Sequence, residues 1–333
     1  MRPPTVGLVL RLLVSLLAAA AVLVGCGSDK GGTAPAPPQP APPKLADFPS
    51  ASGKTLPQLT KGLHQGAVLL VSSFSSQKLG EHNRLGFAIV DRANKQIDVS
   101  AIAVYTAKPD GTELRGPYVA RRESLRVSTA YRSAQTSSDL ASGDTFYVAD
   151  VGYETRGPHI AIGLARLDGR LVVADSPTPL IVGPKPNAPP DVGDRAIRIH
   201  TLVAADVGGD LSKLTTRVPP AQALLTTDFA DVLGKKPAVL LFATPALCQS
   251  RTCGPVVDIA EQVRAENGKG VTFIQQEIYQ DNDPGKPVRP QVASWRLPTE
   301  PWAFVVDRQG KIAARFEGVF SVGELARAVE KVK

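Results

Sequence analysis

Residues 238–263 read AVLLFATPALCQSRTCGPVVDIAEQV. Their first six, Ala-Val-Leu-Leu-Phe-Ala, form an unbroken apolar run, the signature of a strand buried on both faces. From Gly254 the period changes: Val256, Ile259, Ala260 and Val263 recur at helical spacing, and Pro255 stands where a first helical turn tolerates a missing N–H. The stretch therefore predicts a central strand, a loop and an amphipathic helix over 254–266, with Cys248 and Cys253 between strand and helix. Further along, strands are predicted at 271–279, 302–306 and 312–316, the last two joined by Asp-Arg-Gln-Gly as a hairpin. Short helices are predicted at 227–233 and 290–296, and a closing helix at 322–332. Strands alternating with helices make residues 196–333 an α/β unit.

Upstream the pattern is all strand. Segments 67–74, 84–90, 97–106, 145–153 and 159–167 are rich in Val, Ile, Tyr and Phe, and Lys-Pro-Asp-Gly (108–111), Ser-Gly-Asp (142–144), Arg-Gly-Pro (156–158) and Asp-Gly (168–169) punctuate them. Repeated strands without an amphipathic helix predict an all-β, immunoglobulin-like sandwich over 60–183. A Gly/Pro-rich stretch at 184–195 reads as a linker. It offers little to bury, so the two regions are expected to fold as separate domains.

The first 59 residues are a different kind of sequence. Arg2 and Arg11 flank the start of an apolar stretch, 12–25, that is too short for a comfortable membrane span of about 20 residues and suits a signal peptide over 1–25. It ends in Leu23-Val24-Gly25-Cys26, which resembles the lipobox of bacterial lipoproteins. That resemblance implies acylation of Cys26, and two acyl chains suffice for stable anchoring. A Pro/Gly-rich tether follows at 26–59, where no folding is expected. The implied location is the extracytoplasmic face of the cell membrane.

Composition removes several functions. Of 333 residues, 38 are Lys or Arg and 31 are Asp or Glu, for a net charge of +7 spread without a basic cluster. Nucleic acid is not an expected partner. The only Met is Met1, which excludes a thioether-based metal site, and the four His (64, 82, 159 and 200) show no metal-ligand spacing. Neither a cofactor nor a metal is expected.

The element order and two motifs of residues 197–333 resemble the thioredoxin fold. Thr252-Cys253-Gly254-Pro255 follows the apolar strand as Trp-Cys-Gly-Pro-Cys does in thioredoxins. Glu300-Pro301-Trp302-Ala303-Phe304 through Ile312 looks like the cis-proline strand of membrane-tethered thioredoxin-like proteins that handle disulfides outside bacterial cells. The resemblance implies thiol–disulfide exchange with exported or envelope proteins. Cys253 would be the nucleophile, Cys248 would resolve and pair with it as a disulfide, Pro301 would face the pair, and Glu300 and Trp302 would flank the bound substrate. The chain departs from the family in spacing the cysteines by four residues rather than two, and Thr252 replaces the Trp. A helix N-terminus and neighbouring Arg251 are expected to lower the Cys253 pKa. The alternative reading is a non-catalytic envelope lipoprotein in which Cys248–Cys253 is a structural disulfide and the domain binds protein.

Overall fold

A computed structural model describes residues 43–72, 77–138, 144–176, 179–184, 187–248 and 252–333. The expected signal peptide, Cys26 and most of the expected tether lie outside them. Among the described residues no helix is long and apolar enough to cross a membrane.

A short helix α1 (Leu56–Thr60) precedes nine strands: β1 (His64–Ser72), β2 (Gly80–Asp91), β3 (Ala101–Ala107), β4 (Arg115–Val119), β5 (Arg121–Ser124), β6 (Thr145–Tyr153), β7 (Gly157–Leu167), β8 (Arg170–Asp175) and β9 (Leu180–Val182). A one-turn helix, α2 (Ala134–Ser138), lies between β5 and β6. Strand β2 shows why the pattern folds as it does: Leu85, Phe87 and Ile89 alternate and are buried against Val68, Leu70, Val104 and Tyr147. The five predicted strands are present. The four not predicted are short or carry weak signals: β4 contains Pro117, and β8 is the return arm of a hairpin turned by Asp168 and Gly169, both at positive φ.

The connectivity differs from the expected two-sheet sandwich. Hydrogen bonds trace one path, β4-β3-β7-β8-β1-β2-β6-β5, with β9 added to β7. The parallel β1–β8 pairing joins what would be two halves. The sheet curls back on itself, so that Thr106 on β3 and Tyr118 on β4 donate hydrogen bonds to the Gly152 carbonyl of β6 at 3.4 and 3.2 Å.

Packed structure also begins before residue 60. Phe48 and Ala51 are buried against Tyr105 and Leu164, and the Tyr105 hydroxyl donates to the Pro49 carbonyl at 2.6 Å. An apolar side chain within a Pro-rich stretch was enough to draw it onto the sheet.

The second sheet has the order β11-β10-β12-β13, where β10 is Ala238–Phe242, β11 Thr272–Gln276, β12 Trp302–Val306 and β13 Ile312–Glu317. Strands β10 and β11 are parallel, joined across helix α4 (Cys253–Asn267), while β12 and β13 are antiparallel. Helix α3 (Phe229–Val232) precedes β10, α5 (Pro290–Ser294) precedes β12, and α6 (Val322–Glu330) closes the chain. A parallel pair with a crossover helix followed by an antiparallel hairpin and a closing helix is a thioredoxin-like arrangement. All five residues of β10 are buried: Val239 and Leu241 face α4 and α6, while Leu240 and Phe242 face Trp295 and Phe304.

The two sheets share a core, which the sequence reading did not anticipate. Leu125, Val127, Phe146 and Val148 of the first region lie in the same apolar cluster as Val239, Leu241, Val256, Val263, Phe316 and Leu325 of the second. Strand β6 is thus buried twice over, with Tyr147, Ala149 and Val151 facing its own sheet. The 184–195 segment is fastened rather than free: the Gly193 N–H donates to the Ile312 carbonyl at 2.8 Å, and the Ile312 N–H donates to the Asp194 carbonyl at 2.9 Å.

Two buried acids lock this interface. Asp258 on α4 accepts from Arg217 Nε at 2.8 Å and from the Ser133 N–H and hydroxyl at 2.9 and 3.0 Å. Glu324 on α6 accepts from Arg84 Nε and Nη2 at 3.0 and 2.8 Å and from Arg121 Nη2 at 3.0 Å. Burial pushes the Glu324 carboxyl up, but the Arg84 hydrogen bonds and the Arg84 and Arg121 charges outweigh it and hold the group below its ordinary value.

Removing one partner of a buried ion pair leaves the other charge uncompensated. Asp258→Ala should therefore cost about 3–5 kcal/mol, measured by urea unfolding at neutral pH. A loss under about 1 kcal/mol would mean that the pair contributes as a surface bridge does. Because the Glu324 pKa is lowered by folding, its contribution is complete above the ordinary carboxylate value of about 4.3 and is lost as pH falls through the folded value. Glu324→Gln should lower stability at pH 7 and flatten the acid limb of the stability–pH curve.

Candidate functional site

Strand β10 delivers the chain into a loop that carries Cys248, and Cys253 is the first residue of α4. The loop is held at several points. The Ala243 N–H donates to the Gln276 carbonyl at 3.1 Å, and the Ala246 N–H donates to Thr216 Oγ1 at 3.0 Å. The Thr216 N–H in turn donates to the buried carboxylate of Glu277 at 2.8 Å. Gln135 of α2 braces the same segment, donating to the Thr216 carbonyl at 2.8 Å and accepting from the Val218 N–H at 3.1 Å. Residues 249–251, Arg251 among them, lie outside the described residues.

From the other side, the Glu300–Pro301 peptide is cis and Pro301 is buried at the start of β12. Glu300 lies against the cysteines: Cys248 Sγ, Cys253 Sγ and a Glu300 carboxylate oxygen all lie within 4.8 Å of one another. The cysteines are held as thiols, joined by a hydrogen bond. Three of the residues singled out from the sequence, Cys248, Cys253 and Glu300, thus meet, and Pro301 follows Glu300 as a buried residue. Trp302 does not join them. Its side chain points to the opposite face of β12, is fully buried, stacks on Phe304 at 5.7 Å and donates from Nε1 to Thr299 Oγ1 at 3.1 Å. The strand's two-residue period forces this, since Ala303 and Val305 face α4 and their neighbours face away. Trp302 has no surface to offer a substrate.

The electrostatics also reverse an expectation. Burial pushes the Cys253 thiol well above its ordinary value, reinforced by the Cys248 thiol and the Glu300 carboxylate, while a backbone hydrogen bond from Thr244 works the other way. A helix terminus stabilises a charge by about 0.3–1 kcal/mol when exposed, whereas full burial shifts a pKa by up to about 3–5 units. Desolvation wins. The Glu300 carboxyl is pushed up to about 8 by burial, by Cys248 and by Glu277. Burial raises Glu277 too, against the hydrogen bonds it accepts from Thr216 and Ile278. The Tyr279 hydroxyl is raised by desolvation and then by Glu300 and the two cysteines. A carboxyl that titrates near 8 within 4.8 Å of two thiols can exchange protons near neutrality.

Sequence reading passed over Glu277, Thr216 and Asp258. A signal was present for two of them: Glu277 is a charge beside Ile278 within the strand predicted at 271–279, and Asp258 sits between Val257 and Ile259 on an apolar helix. Exposure also separates the cysteines in a way the motif did not. Cys248 is partly exposed and Cys253 is fully enclosed.

No family model matches the chain, and no curated protein does. Among solved structures, the chain is similar to MTB dsbF in mixed oxidized and reduced forms, at 27% identity over 34% of this chain and 98% of that one, with a TM-score of 0.26. It is also similar to a putative thiol:disulfide interchange protein DsbE from Chlorobium tepidum (14% identity, 43% of this chain and 97% of that one, TM-score 0.30). A third is the thioredoxin-like superfamily protein SPOA0173 (15% identity, 32% and 84%, TM-score 0.25). Each overlaps about a third to two-fifths of the chain, and the thioredoxin-like character of the second sheet stands on its strand order and connections.

The raised Cys253 pKa has a direct readout. In the reduced protein, Cys253 should alkylate slowly at pH 7 and accelerate as pH rises past 9. An ionised Glu300 opposes the thiolate, so Glu300→Gln should move that acceleration to lower pH, as followed by mass spectrometry of the modified peptide.

Proposed function

We propose that the chain is an extracytoplasmic thiol–disulfide exchange protein, anchored to the membrane by acylated Cys26 and acting on exported or envelope proteins. The observation that carries this reading is the juxtaposition of two thiols, within 4.8 Å, at the N-terminus of a crossover helix and beside a cis X–Pro bond. The motif alone assigns the attack to Cys253. Exposure favours the opposite order, because only Cys248 reaches solvent.

In this mechanism the Cys248 thiolate attacks a substrate disulfide. The substrate S–S bond breaks, one substrate sulfur leaves and takes a proton, and Cys248 is joined to the other. Cys253 Sγ then attacks Cys248 Sγ, releasing the second substrate sulfur as a thiol. The chain is left with a Cys248–Cys253 disulfide, having passed two electrons. Glu300, within 4.8 Å of both sulfurs, can in its ionised form take the proton that Cys253 sheds; that form is the minor one at pH 7 and the major one above about 8. The enclosed position of Cys253 suits a resolving residue: it needs to meet only Cys248.

Cysteine variants of the full-length protein test the order of attack. Cys253→Ser should accumulate mixed disulfides with exported proteins through Cys248, and Cys248→Ser should accumulate almost none. The reverse result would return the attack to Cys253, and trapping by neither would leave the pair a structural element. The reduction potential of the pair should fall between about −120 and −270 mV, above the range of structural disulfides. Replacing Cys26 by Ala should release the protein from washed membranes.

A further inference from the structure

We propose that the reduced site binds one thiophilic divalent cation, Zn(II), through Cys248 Sγ, Cys253 Sγ and a carboxylate oxygen of Glu300. Two donors, Cys248 and Cys253, are spaced Cys-x4-Cys, within the range common to Zn(II) ligands, and the third, Glu300, comes from the distant segment that leads into β12. The fold nevertheless brings all three atoms within 4.8 Å of one another. A tetrahedral Zn(II) with sulfur ligands at about 2.3 Å and oxygen at about 2.1 Å needs donors roughly 3.6–3.8 Å apart. The site must contract by at most about 1.2 Å, which side-chain torsions on Cys248 and Glu300 can supply without moving α4 or β12.

The chemistry of the cluster favours a soft cation. Two thiolates select Zn(II) over Ca(II) or Mg(II), and a carboxylate completes a Zn(II) set better than a Cu(I) one. Three acidic groups converge here, with the Glu277 carboxylate acting on Glu300 from behind. Among the described residues no Lys or Arg forms an ion pair with Glu300. A cation placed between the donors would stabilise the ionised forms that burial and mutual proximity otherwise disfavour. Three protein ligands leave a fourth position for water or another ligand, the open geometry of a reactive or transfer site rather than of a closed structural one. Cys248 and Glu300 are both partly exposed, so that position faces a route to solvent.

Binding displaces the two thiol protons and the Glu300 carboxyl proton to solvent and forms two Zn–S bonds and one Zn–O bond. It is incompatible with a Cys248–Cys253 disulfide, which consumes both thiolates, so oxidation and metal occupancy exclude each other. The proposal requires only that the thiols be reduced; it does not rest on exchange with substrates.

The test uses the full-length protein in detergent, reduced and stripped with a chelator. Zn(II) is titrated against a chromophoric competitor, and Co(II) serves as the spectroscopic probe. One ion per chain is expected, with a thiolate-to-Co(II) charge-transfer band. Cys248→Ser and Cys253→Ser should each weaken binding by about 100-fold or more, because outer partners alone account for about 10–100-fold. Glu300→Gln should weaken it by at least about 10-fold while the charge-transfer band persists, and the oxidised protein should bind none. Glu277→Gln, which leaves all three donors, should keep one ion per chain and shows that a loss at Glu300 is not a general effect of removing a buried acid. Absence of 1:1 binding by the reduced protein, or affinity unchanged in Glu300→Gln, would overturn the three-donor site. Zn(II) binding by a protein that traps no substrate would uphold this site and remove the exchange reading alone.

Discussion

A carboxylate on the second turn of α4 is the constraint on which the site depends. Asp258 has no solvent exposure, and an isolated charge there would cost several kcal/mol. Both of its oxygens are met, one by Arg217 and one by Ser133. Arg217 is itself satisfied by the Tyr131 carbonyl at 2.7 Å and by the Pro219 carbonyl. The pair therefore pins three segments at once: the 128–138 stretch from the first region, the 214–219 stretch that positions Thr216, and the helix that carries Cys253. Thr216 then fastens Ala246 in the cysteine loop and Glu277 behind Glu300.

The first region is thereby part of the site's construction. Helix α2 packs close to the start of α4, where a side chain at Gly254 would come within 3.4 Å of Thr136 Oγ1 and 3.5 Å of Gln135 Cβ. At those distances a Cβ would make ordinary van der Waals contact, so the position records how closely the two helices pack rather than a steric need for glycine. On the far side, Glu324 completes a capping box with Ser321 while binding Arg84 and Arg121, so the end of α6 is set by residues of β2 and β5. Strand β6, apolar on both faces, fills the space between.

Burial governs the chemistry that this construction produces. Enclosing Cys253 raises its pKa against the helix dipole, and enclosing Glu300 brings a carboxyl to about 8, where it can exchange protons near neutrality. Cys248, partly exposed, is the thiol that meets the outside. The same exclusion of water that keeps Cys253 protonated makes any charge entering the cluster, a proton or a cation, count for more than it would at the surface.

Periodicity was enough to read most of the secondary structure. The apolar run of β10, the helical spacing after Gly254, the β12–β13 hairpin and the five longer strands of the first region could each be read locally, because a two- or 3.6-residue repeat records which face is buried. The cysteine pair and the Glu300-Pro301 motif were legible through their resemblance to thioredoxin motifs rather than through any repeat. What the sequence could not determine was which faces meet. The curled single sheet, the second burial of Phe146 and Val148, the packing of Phe48 and the partners of Asp258 and Glu324 all depend on contacts between residues distant in the chain. The position of Trp302 was decided by strand alternation once β12 paired with β10, and the raised Cys253 pKa by the depth of packing around it. Local pattern says that a side chain will be buried; only the tertiary structure says what buries it, and at this site the surroundings decide charge, access and reactivity.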